Sequence, residues 1–285
     1  MQARPRLLRL AYSELGDLGE AEDVVQDAWL RLERADAERI LNLDGWLTRV
    51  VGRLALDRLR SARSRRERYV GPWLPEPVMS GDAGTSDNPA DRVTLDESVS
   101  YALLTVLEQL SPAERTAFVL HDVFDVPFDD VAEVVDRTPE AVRQLASRAR
   151  RHVKRESPRF AASRDEHDRA VRAFGQAVAE GDLEGLVCVL DPDVVWTSDG
   201  GGRAIAARRP LRGDSRVARA WAALGRRSVV KPIEINLNGR LGLVIAGGDG
   251  DRAALSFVVS DGRIARIDAV RNPQKLRRLE KPGAD

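Results

Sequence analysis

The chain has 285 residues, long for one compact domain, so two or three domains are expected. Its 43% apolar residues are ample for folded cores and 32% charged residues suit a solvated surface, while the absence of any run of about 18 apolar residues gives no ground for a membrane-spanning helix. The 45 basic and 45 acidic residues cancel, yet the basic ones are mostly arginine and concentrated in a few segments, so zero net charge does not exclude a nucleic-acid partner.

From the N-terminus, Leu7, Leu10, Ala11 and Leu15 form one apolar stripe, GDLGE interrupts it, and Val24, Val25, Ala28, Leu30 and Leu32 form a second, which predicts two helices over residues 6–34. The basic start, MQARPRLLRLAY, lacks the apolar stretch and cleavage site of a signal peptide. After a polar loop or short helix at 35–44, Trp46, Leu47, Val50, Val51, Leu54, Ala55 and Leu59 recur at helical spacing up to the arginine-rich RLRSARSRRERY, residues 58–69. Together these make a small helical domain over residues 1–68. Residues 69–94, rich in Gly, Pro, Ser and Asp, read as a linker. Its first part holds Trp73 and Leu74 among prolines, which predicts docking onto a surface rather than a free tether.

A second helical domain is predicted over residues 95–158. SPAE, Ser111–Glu114, is a capping box with proline at the first helical position. A short helix through Val131, Ala132, Val134 and Val135 follows, then a break at DRT, and Thr138 caps a long helix that begins at Pro139 and is expected to bury Val142, Leu145, Ala149 and Val153. Two helices joined by a short turn, the second rich in arginine, describe a helix-turn-helix. Glu140, Arg143, Gln144, Ser147, Arg148 and Arg151 lie off the apolar stripe; Arg and Gln near the start can bond base edges, and later arginines more often hold phosphates.

From about Asp165 the texture changes to helices and then short alternating segments ended by Gly, Asn or Asp, an α+β order that predicts a domain over 165–276 with an antiparallel meander and a basic tail at 277–285. Cys188, the one cysteine, can form no internal disulfide and is expected to be a small core residue within LVCVL. His121, His152 and His167 are scattered, without ligand spacing, so neither a metal nor a cofactor is expected.

AEDVVQDAWLRL and GWLTRVVGRLALDRLR resemble the first domain of the extracytoplasmic-function sigma factors, and LSPAERTAFVLHDVFDVPFDDVAEVVDRTPEAVRQLASRARRHV resembles their second. The resemblance covers about half the chain and implies a first domain that binds the RNA polymerase clamp and opens the −10 promoter element, and a helix-turn-helix that reads the −35 element in the major groove. On it, Asp23, Gln26 and Asp27 share one polar helix face and are expected to contact polymerase; Arg49, Arg53, Arg58 and Arg60 follow Trp46 on the helix the family uses at −10. Pro127 departs from the serine cap that relatives often carry before the first helix of the motif. The C-terminal segment resembles SnoaL-like domains, which share the ketosteroid-isomerase cone. YVGPWLPEP, DGGGR and NPQKL resemble signatures of a sigma subgroup carrying such an extension as a built-in regulator. This implies an interdomain contact among Trp73, Leu74, Pro75, Asp199, Gly200, Gly201, Asn272 and Pro273.

The expected architecture is therefore multidomain: two all-α sigma domains, the second a helix-turn-helix, followed by an α+β SnoaL-like cone. The expected function is promoter-specific transcription initiation with core RNA polymerase, by a cytoplasmic protein that is monomeric when free, is not an enzyme, and has room for an unidentified small ligand in its cone. Two rivals are a ligand-sensing regulator that binds DNA without polymerase and an isomerase or cyclase working through the cone. The first is opposed by the AEDVVQDAWLRL helix. The second is opposed by the tyrosines, since Tyr12, Tyr69 and Tyr101 all precede the cone, leaving Asp193, Asp199, Asp268 and His167 as its acid/base candidates.

Overall fold

A computed structural model of the chain describes residues 3–36, 40–66, 69–79, 99–156, 162–227, 231–246 and 252–279. The chain divides into two compact units. The later part of the linker and the end of the tail lie outside the described residues, as do the side chains of residues 62–68 in the arginine-rich segment.

The first unit comprises Met1–Arg68, Ser86–Val99 and Leu103–Ser157, and its described elements are all helical. α1 (Ala3–Leu15), α2 (Leu18–Arg34) and α3 (Leu43–Arg66) pack on one another, and Asp17 caps α2 by accepting from the Glu20 amide at 2.9 Å. They bury Leu7, Leu10, Leu15, Val24, Ala28, Leu47, Val51 and Leu56. Leu30, expected on the apolar stripe of α2, is instead 41% exposed. α4 (Tyr101–Leu107), whose first two residues belong to the second unit, is followed by α5 (Pro112–Phe118), α6 (Phe128–Val135) and α7 (Pro139–Glu156). Both halves of the capping box at Ser111 and Glu114 are formed.

A π-helical turn, Val119–Val123, extends α5. It adds a residue to the helical period, and no capping residue marks it in the sequence. α6 starts directly after Pro127 with no side-chain cap and stops at Asp136, whose φ of +57° is left-handed. α7 buries Val142, Ala146 and Ala149; Leu145 and Val153, expected in the core, are only half-buried. α3 packs against α5 and α6, and closely: a Cβ on Gly52 would meet Leu120 at 3.2 Å and Val134 at 3.3 Å.

The second unit comprises Tyr69–Thr85, Ser100–Ala102 and Pro158–Asp285. Its described elements are α8 (Arg164–Glu180), α9 (Leu183–Val189), β1 (Leu190–Asp199), β2 (Leu211–Arg212), α10 (Asp214–Arg227), β3 (Lys231–Leu237), β4 (Arg240–Ala246), β5 (Arg252–Ser260), β6 (Arg263–Val270), α11 (Pro273–Leu276) and a 3₁₀ turn, Arg277–Leu279. The six strands form one sheet in the order β2-β1-β6-β5-β4-β3. β3 to β6 make the expected antiparallel meander, but β1 runs parallel to β6, so the sheet is mixed.

Helices α8, α9 and α10 cover one face of this sheet over Val171, Phe174, Val178, Leu186, Trp221, Leu255 and Ile267. Phe174 stands edge-on to Trp221 and Phe257, at 5.5 and 5.3 Å between centroids. Cys188 is exposed, against the expectation of a core position. On the short helix α9 it is Leu186 that points inward, and Cys188, two residues on, turns about 200° away. The other face of the sheet carries a smaller core of Leu74, Tyr101, Leu237, Ala254, Val270 and Leu276. Linker residues thus cover the face that the helices leave open.

Candidate functional site

The linker is anchored by a polar cluster at the end of β1. Asp199 is fully buried. Its Oδ1 accepts from the Tyr69 hydroxyl (2.7 Å) and the Gly201 amide (3.0 Å); its Oδ2 accepts from the Leu74 amide (3.0 Å) and Lys275 Nζ (2.7 Å). Its backbone carbonyl also takes the amides of Arg271 and Asn272. A buried carboxylate is tolerable only when its lone pairs and charge are met, and here they are.

Lys275, only 6% exposed, also donates to the Leu74 carbonyl and lies 3.9 Å from the Trp73 ring centroid. Asn272 caps α11, in which Pro273 is the first residue, and donates to the Tyr69 hydroxyl at 2.8 Å. Burial and the neighbouring Asp199 carboxylate push the Tyr69 phenol well above its ordinary range, so it stays protonated as the donor. Gly201 (φ +59°) has to be glycine, since a Cβ would collide with the Asn272 amide and crowd the Tyr69 hydroxyl. At Gly200 a Cβ would strike the Ala204 carbonyl.

Further along, the Tyr101 hydroxyl donates to the Pro75 carbonyl (2.9 Å), and Val78 and Asn238 exchange two hydrogen bonds. All eight residues expected at this contact lie in or beside the cluster. Tyr69, Lys275, Tyr101 and Asn238 were missed, although Lys275 stands inside NPQKL and Tyr69 opens YVGPWLPEP.

In the first unit, Asp23, Gln26 and Asp27 are on α2, and Arg49, Arg53, Arg58 and Arg60 on α3. Arg58 reaches back to Asp27 (3.4 Å) and Asp23 (3.9 Å). Arg60 pairs with Asp57. Arg49 meets Asp130 (3.0 Å) and Glu133 (3.5 Å), and Arg53 donates to the Val134 carbonyl (2.8 Å). The acids and carbonyl that hold Arg49 and Arg53 all belong to α6, the first helix of the helix-turn-helix.

On α7 the side chains of Glu140, Arg143, Gln144, Ser147, Arg148 and Arg151 share the expected exposed side. Arg143 pairs with Glu140 (3.4 Å) and lies 5.4 Å from the Phe128 ring centroid; Phe128 in turn stacks on His121 at 3.7 Å. Arg148 is held by Glu114 (2.8 Å), Arg150 by Asp122 (2.6 Å), and among the described residues Arg151 bonds the Ser147 carbonyl of its own helix (3.4 Å). Burial works to raise the Glu114 carboxyl, but its bonds from Ser111 and Arg148 outweigh that and hold it below the usual range. A cleft of about 460 Å³ opens between this helix and residues 109–114, with Arg148, Arg151, His152 and Arg155 on one wall.

The acid/base candidates of the cone do not come together. Asp199 is committed to the linker, and Asp268 to Arg266 at 2.9 Å. Asp193 is exposed next to Asp191, and His167 bonds the Leu241 carbonyl at 2.9 Å. Tyr69 and Tyr101 precede the cone in sequence but, against the expectation that the cone lacks tyrosines, belong to its unit in space. Tyr69 does meet a carboxylate there, but as a linker residue anchored on Asp199, whose other oxygen is taken by Leu74 and Lys275.

Residues 1–65 match the family model "Sigma-70 region 2" and residues 100–153 match "Sigma-70, region 4". Over 285 residues the chain is 42% identical to the ECF RNA polymerase sigma factor SigJ of Mycobacterium tuberculosis, covering 96% of this chain and 90% of SigJ. The chain belongs to the extracytoplasmic-function sigma factors. A second relative, the probable ECF RNA polymerase sigma factor SigI of the same species, is 37% identical, with 96% of this chain and 92% of SigI covered. The crystal structure of SigJ superposes with a TM-score of 0.79 at 37% identity, covering 96% of both chains. The sigma factor thus has two helical sigma domains and an α+β cone, and works with core RNA polymerase at promoters to start transcription. It is not an enzyme, and the isomerase rival is not favoured. No described helix is long and apolar enough to cross a membrane.

Proposed function

We propose that this sigma factor reads the −10 element with α3 and the −35 element with α7, binds polymerase through Asp23, Gln26 and Asp27 of α2, and is regulated by its own cone through the linker. The observation that carries the regulatory part is the Asp199 cluster. It fastens residues 69–78, the segment that leaves α3 and leads toward the helix-turn-helix, to the cone's sheet. A linker held in this way limits how far the two promoter-reading helices can separate. Release or retention by the cone then sets whether both elements are reached at once. Site of action is the cytoplasm, where promoters are.

Supporting the DNA assignments are the exposed Arg143 and Arg151 on α7 and the arginine spacing on α3. Favouring the α2 assignment is the acidic face formed by Asp23, which is exposed, and Asp27, which is half-buried. The test is in vitro transcription on a promoter library with intact protein and with Trp73→Ala or a deletion from Asn272 onward. Output should change while affinity of the protein for isolated −35 duplex stays the same. Wild-type output from both variants would reduce the linker to a tether.

A further inference from the structure

In the first unit, α1 of region 2 meets α5 of region 4 through charged groups that water does not reach. Arg115 is 2% exposed and is among the largest fully buried side chains. Its Nη1 is taken by Glu108 and its Nη2 donates to the Ser13 carbonyl at 3.1 Å. Next to it, Glu14 is fully buried, and its Oε2 accepts from the Thr116 hydroxyl at 3.1 Å. Glu14 Oε1 is buried without a partner, and so is Arg115 Nε, so the two do not close an ion pair. One arginine therefore faces two carboxylates, but its terminal nitrogens are spent on Glu108 and the Ser13 carbonyl and neither bonds Glu14.

The other charged groups around this interface are already engaged. On α1, Arg9 lies over the Phe124 ring at 5.1 Å. At the start of α2, Asp17 caps its own helix. In the π-helical turn, His121 is bonded to the Val126 carbonyl and Asp122 to Arg150. On α3, Arg49 and Arg53 are bonded to α6, and Arg6 of α1 donates to Thr48. None of these bonds supplies Glu14 with a countercharge. An ionised carboxylate buried with one oxygen unsatisfied costs several kcal/mol, whereas the neutral acid avoids most of that cost.

We infer that the α1–α5 contact is a proton-dependent latch, in which regions 2 and 4 close on each other with Glu14 carrying a proton and separate more readily once it is ionised. This rests on the reading that the two regions must part to work. Elements 25 base pairs apart lie about 85 Å apart along B-form DNA, far beyond the span of two regions in contact. Burial pushes the Glu14 carboxyl up to about 7, against the pull of Arg115 and Thr116, while the open form has the ordinary value near 4.5. Closure therefore takes up a proton between these two values. The closed-to-open ratio falls about tenfold per pH unit as pH rises from 4.5 to about 7 and levels off above that.

The experiment uses the full chain, with Cys188→Ser to clear the exposed native thiol and a donor–acceptor dye pair placed on α2 and α7. Energy transfer and binding to core polymerase are both followed from pH 6 to 8. Transfer in the wild type should fall as pH rises, and core affinity should strengthen by about tenfold more than in Glu14→Gln. Glu14→Gln should stay closed and flat with pH. Thr116→Val, which removes the hydroxyl that favours ionised Glu14, should shift the wild-type transition to higher pH. This milder variant keeps the test decisive if Glu14→Gln fails to fold by circular dichroism. A pH-independent wild-type signal, or an unshifted midpoint in Thr116→Val, overturns the latch. Transcription by the same variants separately tests whether opening is needed at promoters: a closed Glu14→Gln that transcribes normally leaves the latch standing and removes the promoter-spanning reading.

Discussion

Tyr69 and Asp199 meet across 130 residues of chain, the phenol hydroxyl donating to Oδ1 at 2.7 Å. That bond, with those from Leu74, Gly201 and Lys275, makes one buried carboxylate the fixed point for both the linker and the C-terminal turn. Asp199 supplies the countercharge for Lys275, so the two residues cannot be altered independently.

Asp199→Asn keeps the size of the side chain but strands the Lys275 ammonium inside the cluster. Breaking a buried pair from one side costs about 3–5 kcal/mol, and urea unfolding followed by tryptophan fluorescence should show a loss of this size. Tyr69→Phe removes one neutral donor and should cost about 1–2 kcal/mol. Limited proteolysis within residues 70–79 should quicken in both. An Asp199→Asn protein as stable as wild type would mean the cluster does not hold the linker.

Arg143 and Arg151 should separate base reading from phosphate holding on α7. Arg143 sits near the helix start, oriented by Phe128 and Glu140, whereas Arg151, farther along, bonds the Ser147 carbonyl of its own helix. Arg143→Ala should weaken a cognate −35 duplex by about 1–3 kcal/mol more than random DNA. Arg151→Ala should weaken both alike and lower the salt slope by about one. Equal losses on both DNAs for Arg143→Ala would remove its base-reading role.

How far the sequence foretold this structure depended on how local each signal is. The capping box at Ser111, the Thr138–Pro139 start and the stripes of α1 and α3 are written in neighbouring residues. The side of α7 that faces outward followed from the same periodicity. What periodicity does not carry is pairing over long separations. The parallel β1–β6 pairing, the Asp130 grip on Arg49 and the membership of Tyr69 and Tyr101 in the cone's unit join residues far apart in sequence. Cys188 went wrong for a different reason: LVCVL reads as a buried run, but a seven-residue helix against a sheet buries only Leu186 of its residues.

His167 gives the second unit a pH dependence of its own. Burial against α8's neighbours holds the imidazole below its ordinary 6.5, even though its bond to the Leu241 carbonyl pulls the other way. The native state thus takes a proton less readily than the unfolded chain, so stability is full above pH 6.5 and declines as pH falls below it. His167→Gln, which can still donate to that carbonyl, should flatten this acid decline in thermal melts between pH 7 and 5. A decline unchanged in the variant would assign it to another group.

Charge reversal at Asp23 and Asp27 should abolish core-polymerase binding and transcription, with helical content unchanged by circular dichroism. Both acids pair with Arg58, so a loss could also arise through that arginine. Arg58→Ala separates the two effects, since it should weaken promoter DNA binding while sparing core binding. Normal core binding by the reversed protein would remove the polymerase assignment from α2.

Asp130 and Glu133 occupy Arg49 much as DNA phosphates would, so they should compete with promoter DNA for α3. Asp130 is about one-third exposed and Glu133 more so, so each pair is weak on its own, at most about 1 kcal/mol. Replacing both acids by alanine should therefore raise affinity for a −10 fragment only about two- to fivefold. The salt dependence is the more telling readout. In the wild type Arg49 exchanges its two carboxylate partners for a phosphate, and little net charge is newly neutralised. In the double variant that arginine is free beforehand, so its phosphate contact releases counterions in full and the log–log salt slope should steepen by up to about one. Arg49→Ala should cancel both effects when added to the double variant. If removing the acids leaves affinity and slope as they were, Arg49 does not contact DNA, and the −10 assignment would have to rest on the other arginines of α3.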